Sequence, residues 1–251
     1  DADILLLAVP MQALGAVLPD LAMLRPQHVV AACKGIDLAT LRGPTDLIAR
    51  AFPTAVGAIL SGPSFAADIA RGLPTALSLG CADETVGVHL QRHLSTPTLR
   101  LYRTTDTVGV EIGGALKNVI AIACGAVVGA GLGDSARAAL MTRGMAEIMR
   151  LATAMGARRE TLMGLSGLGD LALTCASPTS RNFALGMAIG RGDPRPDAIT
   201  EGVATADAAL RLATDRKIDL PVTQVVAGLV AGRLTVKDAM TDLLTRDLTT
   251  E

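Results

Sequence analysis

Residues 111–133 read EIGGALKNVIAIACGAVVGAGLG, and Glu111 and Lys117 are the only charges among them. A segment this apolar has to be buried over most of its length, inside a protein or inside a bilayer. Lys117 divides the run, and its second half is diluted by Gly and Ala, which contribute little transfer energy. The expected form is therefore an interior helix and not a membrane span. Its small residues let neighbouring backbones approach closely. Lysine is scarce in this chain: Lys34, Lys117, Lys217 and Lys237 stand against nineteen arginines. Of the four, Lys34 and Lys117 interrupt apolar, Gly-rich sequence. Desolvation lowers the pKa of such an amine and makes it usable as a base near neutral pH. The same position also suits a lysine with a buried stem and a head that reaches water. Residue 117 taken alone fits both uses.

Length allows one large or two ordinary domains around this segment, at 251 residues. Half the chain is hydrophobic, yet it has three Phe, one Tyr and no Trp. The core must be aliphatic, with little surface for base stacking. A net charge of -1 argues against nucleic acid or an anionic membrane as the main partner. Cys33, Cys81, Cys124 and Cys175 are widely spaced without a C-x-x-C, which fits reduced thiols in a cytoplasmic protein. No basic region precedes the first apolar run, so a signal peptide is not expected. The immediate start in a strand gives the expectation that the chain begins partway into a domain.

That first run, DILLLAV at residues 3–9, has strand length, and Pro10 ends it before a helical pattern through Met11, Leu14, Val17, Leu18 and Leu21. HVVAACKG, AVGAIL, TALSLGC and TLRLYRT supply four further strands. Helices are expected between them, one running to Ala70 with Ser64 as its cap and one over residues 83–94. Strands apolar throughout and alternating with helices predict a mostly parallel sheet covered on both faces, a partial doubly wound (Rossmann-like) α/β fold. From Asp106 the strand signals stop. A helix is expected over residues 134–155, capped by Asp134 or Ser135, with others near residues 182–189, 205–214, 222–231 and 236–244. The expected division is a sheet-containing domain of residues 1–105 and an all-helical domain of residues 106–251.

Open parallel sheets bind ligands beyond the carboxyl ends of their strands. Lys34 comes after HVVAAC at such a place, and Gly62-Pro63-Ser64 after AVGAIL. The second offers close backbone approach and helix N–H groups to an anion, although both also read as ordinary strand-to-helix turns. Residues 164–171, GLSGLGDL, read as a glycine-rich loop presenting Asp170, whose plainer use is as a helix cap. Gly167, Gly169 and Ala172 match the permissive dinucleotide pattern G-x-G-x-x-G/A, but no strand precedes them, so the required context fails. Ser180, Arg181 and Asn182 open a predicted helix, where N–H groups, the dipole and a guanidinium favour an anion. Simple capping beside an exposed arginine fits the same residues. His89 and His93 are four apart without accompanying Cys or carboxylates, and no metal site is expected.

In order along the chain, DADILLLAVP, CKGID, LSGPSFA, EIGGALKNVIAIACG, LSGLGDL, SPTSRN and ITEGVATA resemble bacterial NAD(P)-dependent glycerol-3-phosphate dehydrogenase over essentially all 251 residues. The resemblance implies a dinucleotide-binding domain followed by a helical one, and interconversion of sn-glycerol 3-phosphate and dihydroxyacetone phosphate with NAD or NADP. It makes Lys117 the proton acceptor, held beside Asp170. Substrate contacts carry over to Lys34, Gly62, Ser64, Asn118, Asp170, Ser180, Arg181 and Asn182, and cofactor contacts to Lys34, Ala66, Arg181, Ile199 and Glu201. A cytoplasmic homodimer serving glycerophospholipid synthesis is a family expectation. Members of this family open with a strand, a G-x-G-x-x-G/A turn and a helix that hold the cofactor pyrophosphate. This chain is expected to start after that unit, and a product lacking it to bind cofactor weakly. The same two-domain plan also serves β-hydroxyacid dehydrogenases, and a chain without the unit could persist as a non-catalytic remnant.

Overall fold

Short apolar runs assemble into one sheet: β1 (Ile4–Leu7), β2 (His28–Ala31), β3 (Val56–Ser61), β4 (Thr75–Cys81) and β5 (Leu99–Thr104), in the order β1-β2-β3-β4-β5. The computed structural model describes residues 3–246; residues 1–2 and 247–251, at the outer ends of the two expected domains, lie outside the described residues. β1–β2, β2–β3 and β4–β5 pair in parallel, with Leu5 opposite Val29 and Leu77 opposite Leu101. The mostly parallel, Rossmann-like sheet is thus present, its one antiparallel pair being β3 and β4. A parallel return needs a helix laid across the sheet. The β3–β4 connection holds only α3 (Ala66–Ala70), which buries no residue, so the chain turns straight back.

Successive strand residues face opposite sides. Val29, Ala31 and Ile59 pack with Met11 and Leu14 of α1 (Met11–Val17) and Ile48 of α2 (Pro44–Ala51) on one face. Val30, Ala58, Leu77 and Leu79 pack with Leu90 of α4 (Glu84–Leu94) on the other. A 3-10 turn, Pro19–Leu24, comes after α1. Sequence periodicity did not reveal α2, a helix of 8 residues announced only by Pro44 at its first position and Asp46 in its first turn.

The second half is built on α5 (Thr107–Gly129), whose start is fixed by Asp106 accepting Gly109 N–H. By length and hydropathy α5 could cross a membrane, but 83% of its apolar window is buried inside the protein, as an interior helix requires. Around it lie α6 (Gly133–Ala154), α7 (Arg159–Leu162), α8 (Asp170–Thr174), α9 (Arg181–Arg191), α10 (Glu201–Arg216) and α11 (Pro221–Val230), with α12 (Val236–Leu244) packed on α11. The closest approach is α5 to α9. Glycines four apart, Gly125 and Gly129 on α5 and Gly186 and Gly190 on α9, face the partner backbone; a methyl at Gly186 would lie 2.0 Å from Ile122 O, and one at Gly125 2.1 Å from Phe183 O. With no side chains between them, the two backbones pack directly.

Several helix starts are finished by another helix. α1, α2 and α11 have no side-chain cap of their own. Glu111 of α5 accepts Thr45 N–H at 2.7 Å and the Thr45 hydroxyl at 2.8 Å. Glu147 of α6 accepts the N–H groups of Val222 and Thr223, and Glu201 of α10 accepts Met11 N–H at 3.0 Å. Burial pushes all three carboxyl pKa values up, that of Glu111 to about 7. Three local expectations are corrected. Ser64 does not cap α3, whose N-cap is Phe65. Neither Asp134 nor Ser135 caps α6, which starts one residue earlier behind Leu132; Asp134 binds Arg137 instead. Residues 164–171 are not a loop: Leu165–Gly169 make a π-helical turn that runs directly into α8.

Gly186→Ala should lower stability by about 3 kcal/mol, because the added methyl meets backbone that cannot rotate away. Chemical denaturation against the parent measures it, and an unchanged midpoint would remove the α5–α9 contact as a constraint.

Candidate active site

Lys117 faces away from solvent near the middle of α5, 6% exposed. Its Nζ donates to Asp170 Oδ1 at 2.6 Å and to Thr174 Oγ1 at 2.8 Å. Asp170 is the first residue of α8 and fully buried. Its other oxygen, Oδ2, accepts Lys34 Nζ at 2.8 Å, and Lys34 also donates to Gly62 C=O at 3.2 Å. One carboxylate therefore separates two ammonium groups, one from beyond the end of β2 and one from α5. Gly62 has φ +147, a conformation open to glycine, and this turns its carbonyl to Lys34.

With both amines protonated the cluster carries a net charge of one positive. Burial and the neighbouring Lys34 charge lower the Lys117 pKa to about 8, while Asp170 opposes them. An amine so placed exchanges its proton near neutral pH, and the surplus positive charge favours an anionic ligand. Thr174 lies one helical turn after Asp170 and donates to Oδ1 at 3.3 Å, fixing the carboxylate from its own helix.

A second polar group lies against the next residue of α5. Asn182 Nδ2 donates to Asn118 Oδ1 at 3.0 Å, and Gly202 N–H donates to Asn182 Oδ1 at 2.9 Å. Ser180 caps α9 through Phe183 N–H, as the sequence suggested. Arg181, exposed at the first position of α9, lies near enough to Glu201 to stabilise its negative charge. Beyond the Phe183 N–H taken by Ser180, the N–H groups of Arg181 and Asn182 have no carbonyl one turn back to bond, so an anion there would meet a guanidinium and backbone donors together.

The structure thus joins Lys34, Gly62, Lys117 and Asp170 in one cluster, places Asn118 with Asn182, and sets Arg181 near Glu201. Three predicted positions make no bond to the charged groups of that cluster. Ser64 makes only a 3.5 Å contact back to Gly62 O, Ala66 is exposed at the start of α3, and the Ile199 side chain is 61% exposed before α10. Sequence reasoning missed Thr174, Gly202 and the Met11 N–H. The i, i+4 relation of Asp170 and Thr174 would have shown the first, had residues 164–171 been read as helical. Among the described residues no group of three His, Cys, Asp or Glu side chains is placed to hold a metal; the His89 ring lies between those of His28 and His93, tilted to each.

Comparison with known proteins gives concordant results. The model of the NAD-dependent glycerol-3-phosphate dehydrogenase N-terminus matches residues 1–87, and that of its C-terminus residues 106–241. A glycerol-3-phosphate dehydrogenase (NAD(P)+) of Cereibacter sphaeroides is 62% identical, with 100% of this chain and 83% of that protein aligned. Its counterpart in Paracoccus denitrificans is 58% identical, over 100% of this chain and 80% of that protein. Among solved structures, glycerol-3-phosphate dehydrogenase from Coxiella burnetii superposes with a TM-score of 0.91 at 34% identity, covering 97% of this chain and 77% of that one.

Removing the shared carboxylate should expose how much the cluster depends on it. Asp170→Ala leaves the buried Lys117 amine facing the partly buried one of Lys34 and should cost about 3–5 kcal/mol at pH 7. Without Asp170 the folded-state pKa of Lys117 falls further below its ordinary 10.5. The unfolded chain then binds more protons, so stability should rise as pH is raised from 7 to 9. Urea titrations at the two pH values check both the loss and its sign.

Proposed function

The chain belongs to the NAD-dependent glycerol-3-phosphate dehydrogenase family, and from that premise we propose that Lys117 is its general acid-base and that Asp170, Thr174 and Lys34 hold and tune it. The reaction of the family is interconversion of sn-glycerol 3-phosphate and dihydroxyacetone phosphate with NAD or NADP. The observation that carries the assignment is the buried Lys117 ammonium, clamped by Asp170 at 2.6 Å and lowered to a pKa of about 8.

The residues present fit the cofactor. Lys34, Arg181 and Glu201 lie around the carboxyl ends of β1 and β2, where open parallel sheets take dinucleotides, and Glu201 already fixes the start of α1 through Met11. When bound, the nicotinamide supplies the hydride acceptor in oxidation and the donor in reduction. The chain does the rest. Lys117 Nζ, deprotonated, takes the proton of the C2 hydroxyl, and protonated returns it in reduction. Asp170 orients the amine and keeps its protonated form accessible, whereas Lys34 lowers the pKa and offers positive charge to developing negative oxygen. Arg181 and the first N–H groups of α9 receive the substrate phosphate. Gly62, Ser64 and Asn118 complete the substrate wall; Ala66 and Ile199 contribute surface on the cofactor side.

The same reading extends to organisation. The end of β5 at Thr104 and the Asp106 cap of α5 support a domain division between residues 105 and 106. Four free, buried cysteines support a reducing, cytoplasmic setting, and the charge of -1 supports a small-molecule partner over nucleic acid. Homodimerisation and a role in supplying glycerophospholipid precursors rest on family membership.

Lys117→Ala should lower kcat by about 100- to 10,000-fold while cofactor binding persists; turnover near that of the parent would defeat the assignment. In the parent, kcat/KM for oxidation should rise with pH through about 8 as Lys117 deprotonates. Lys34→Met removes a like charge that holds this pKa down, so the rising limb should move to higher pH. A pH–rate profile showing no movement, or movement downward, would separate Lys34 from the tuning of Lys117.

A further inference from the structure

An asparagine amide has an accepting end and a donating end, and their assignment needs a neighbour that can do only one thing. Gly202 supplies it. A backbone N–H can only donate, and it meets Asn182 at 2.9 Å, so the Asn182 atom there is the carbonyl oxygen. The far end of that amide is then the NH2, and it meets Asn118 at 3.0 Å. The receiving atom of Asn118 must be its oxygen. By elimination the Asn118 NH2 points away from Asn182 and meets Gly114 C=O at 3.5 Å, the outer limit of a hydrogen bond.

Direction matters here. Side chains on a helix lean toward its N-terminus, and Gly114 lies one turn before Asn118 on the same face. A methyl at Gly114 would come within 2.3 Å of the Ser61 hydroxyl and 3.7 Å of Lys34 Cγ. The Asn118 NH2 therefore leans toward the Lys34 side of the Lys117–Asp170 cluster. Gly202 is also sterically required, since a methyl on it would sit 2.7 Å from Asn118 O and 2.8 Å from Asn182 Oδ1.

Building on the assignment of glycerol 3-phosphate as substrate, we propose that Asn182 is a positioning residue: its side chain carries the polarity of the Gly202 N–H across to Asn118, so that Asn118 presents N–H donors, and not a carbonyl, to a substrate oxygen beside Lys117. One N–H and the carbonyl oxygen of the Asn182 side chain are engaged within the protein, and that engagement orients Asn118. A donor at that place suits both directions of the reaction, because the hydroxyl, the alkoxide and the ketone all accept.

The test reads the amide directly. In 15N-labelled full-chain enzyme, the side-chain NH2 resonances of Asn118 are identified by their loss in Asn118→Asp and tracked as sn-glycerol 3-phosphate is added, with calorimetry run in parallel. The expected result is a downfield shift of an Asn118 NH2 proton at saturation. Asn182→Asp keeps the shape and still accepts Gly202 N–H, but has no donor, so Asn118 must turn its NH2 to residue 182. In that variant the substrate-dependent shift should vanish, and substrate affinity should fall about tenfold. Calorimetric binding to the parent without movement of the Asn118 NH2 overturns the proposal, as does a folded Asn182→Asp variant in which the shift persists. Should Asn182→Asp fail to fold, the parent titration alone decides. Absence of calorimetric binding to the parent would speak instead against the substrate assignment on which the proposal rests.

Discussion

Asp170 is a carboxylate with no exposed surface that holds an ammonium on each oxygen. A buried charge is tolerated only where it is paired and hydrogen-bonded. Asp170 meets that condition with Lys117, Lys34 and Thr174, which come from α5, from beyond β2, and from its own helix. The arrangement forces the fold. The end of the sheet must reach α5, and α8 must start within hydrogen-bonding distance of both. One carboxylate between two amines also leaves a positive surplus in a place shielded from water. Together with burial, that surplus holds the Lys117 pKa below its ordinary value and favours an anionic ligand.

Bringing these elements together requires α5 to be thin. Gly113 faces the backbone of Ser166 in the π-helical turn, Gly114 faces Ser61 at the end of β3, and Gly125 and Gly129 face α9. Each is a place where a neighbouring element lies directly on the helix backbone. Lys117 and Asn118 stand between the two glycine pairs, buried beside the aliphatic side chains of Leu116, Val119 and Ile120. A 23-residue helix with almost no bulky polar group is thus what a buried amine surrounded on all sides needs. The membrane-like hydropathy of the segment is a by-product of that burial.

The strands and the long helices were legible because their signals are local: apolar runs of strand length, and a break in that pattern after residue 105. Lys117 and Lys34 were visible as charges out of place. What stayed hidden was set by contacts distant in sequence. α2 lacks a cap of its own, since Glu111, 66 residues away from Thr45, provides it. Residues 164–171 have the composition of a loop, but packing against α5 winds them into a helical turn, and with that went the Asp170–Thr174 relation. Ser64 has the residue type of a cap without the position. The Asn118–Asn182–Gly202 chain joins three helices, and no spacing in the sequence encodes its polarity.

The three borrowed caps bear on the order in which the molecule can form. A helix that ends in its own Ser or Asp can nucleate alone, with its first N–H groups already satisfied. α1, α2 and α11 cannot, because the carboxylates of Glu201, Glu111 and Glu147 reach them only after α10, α5 and α6 have docked. Two of these links run from the helical half to the sheet half. The sheet half therefore cannot complete α1 and α2 without the helical half, whereas α11 takes its cap from within its own half, and a cut between the two would fray α1 and α2.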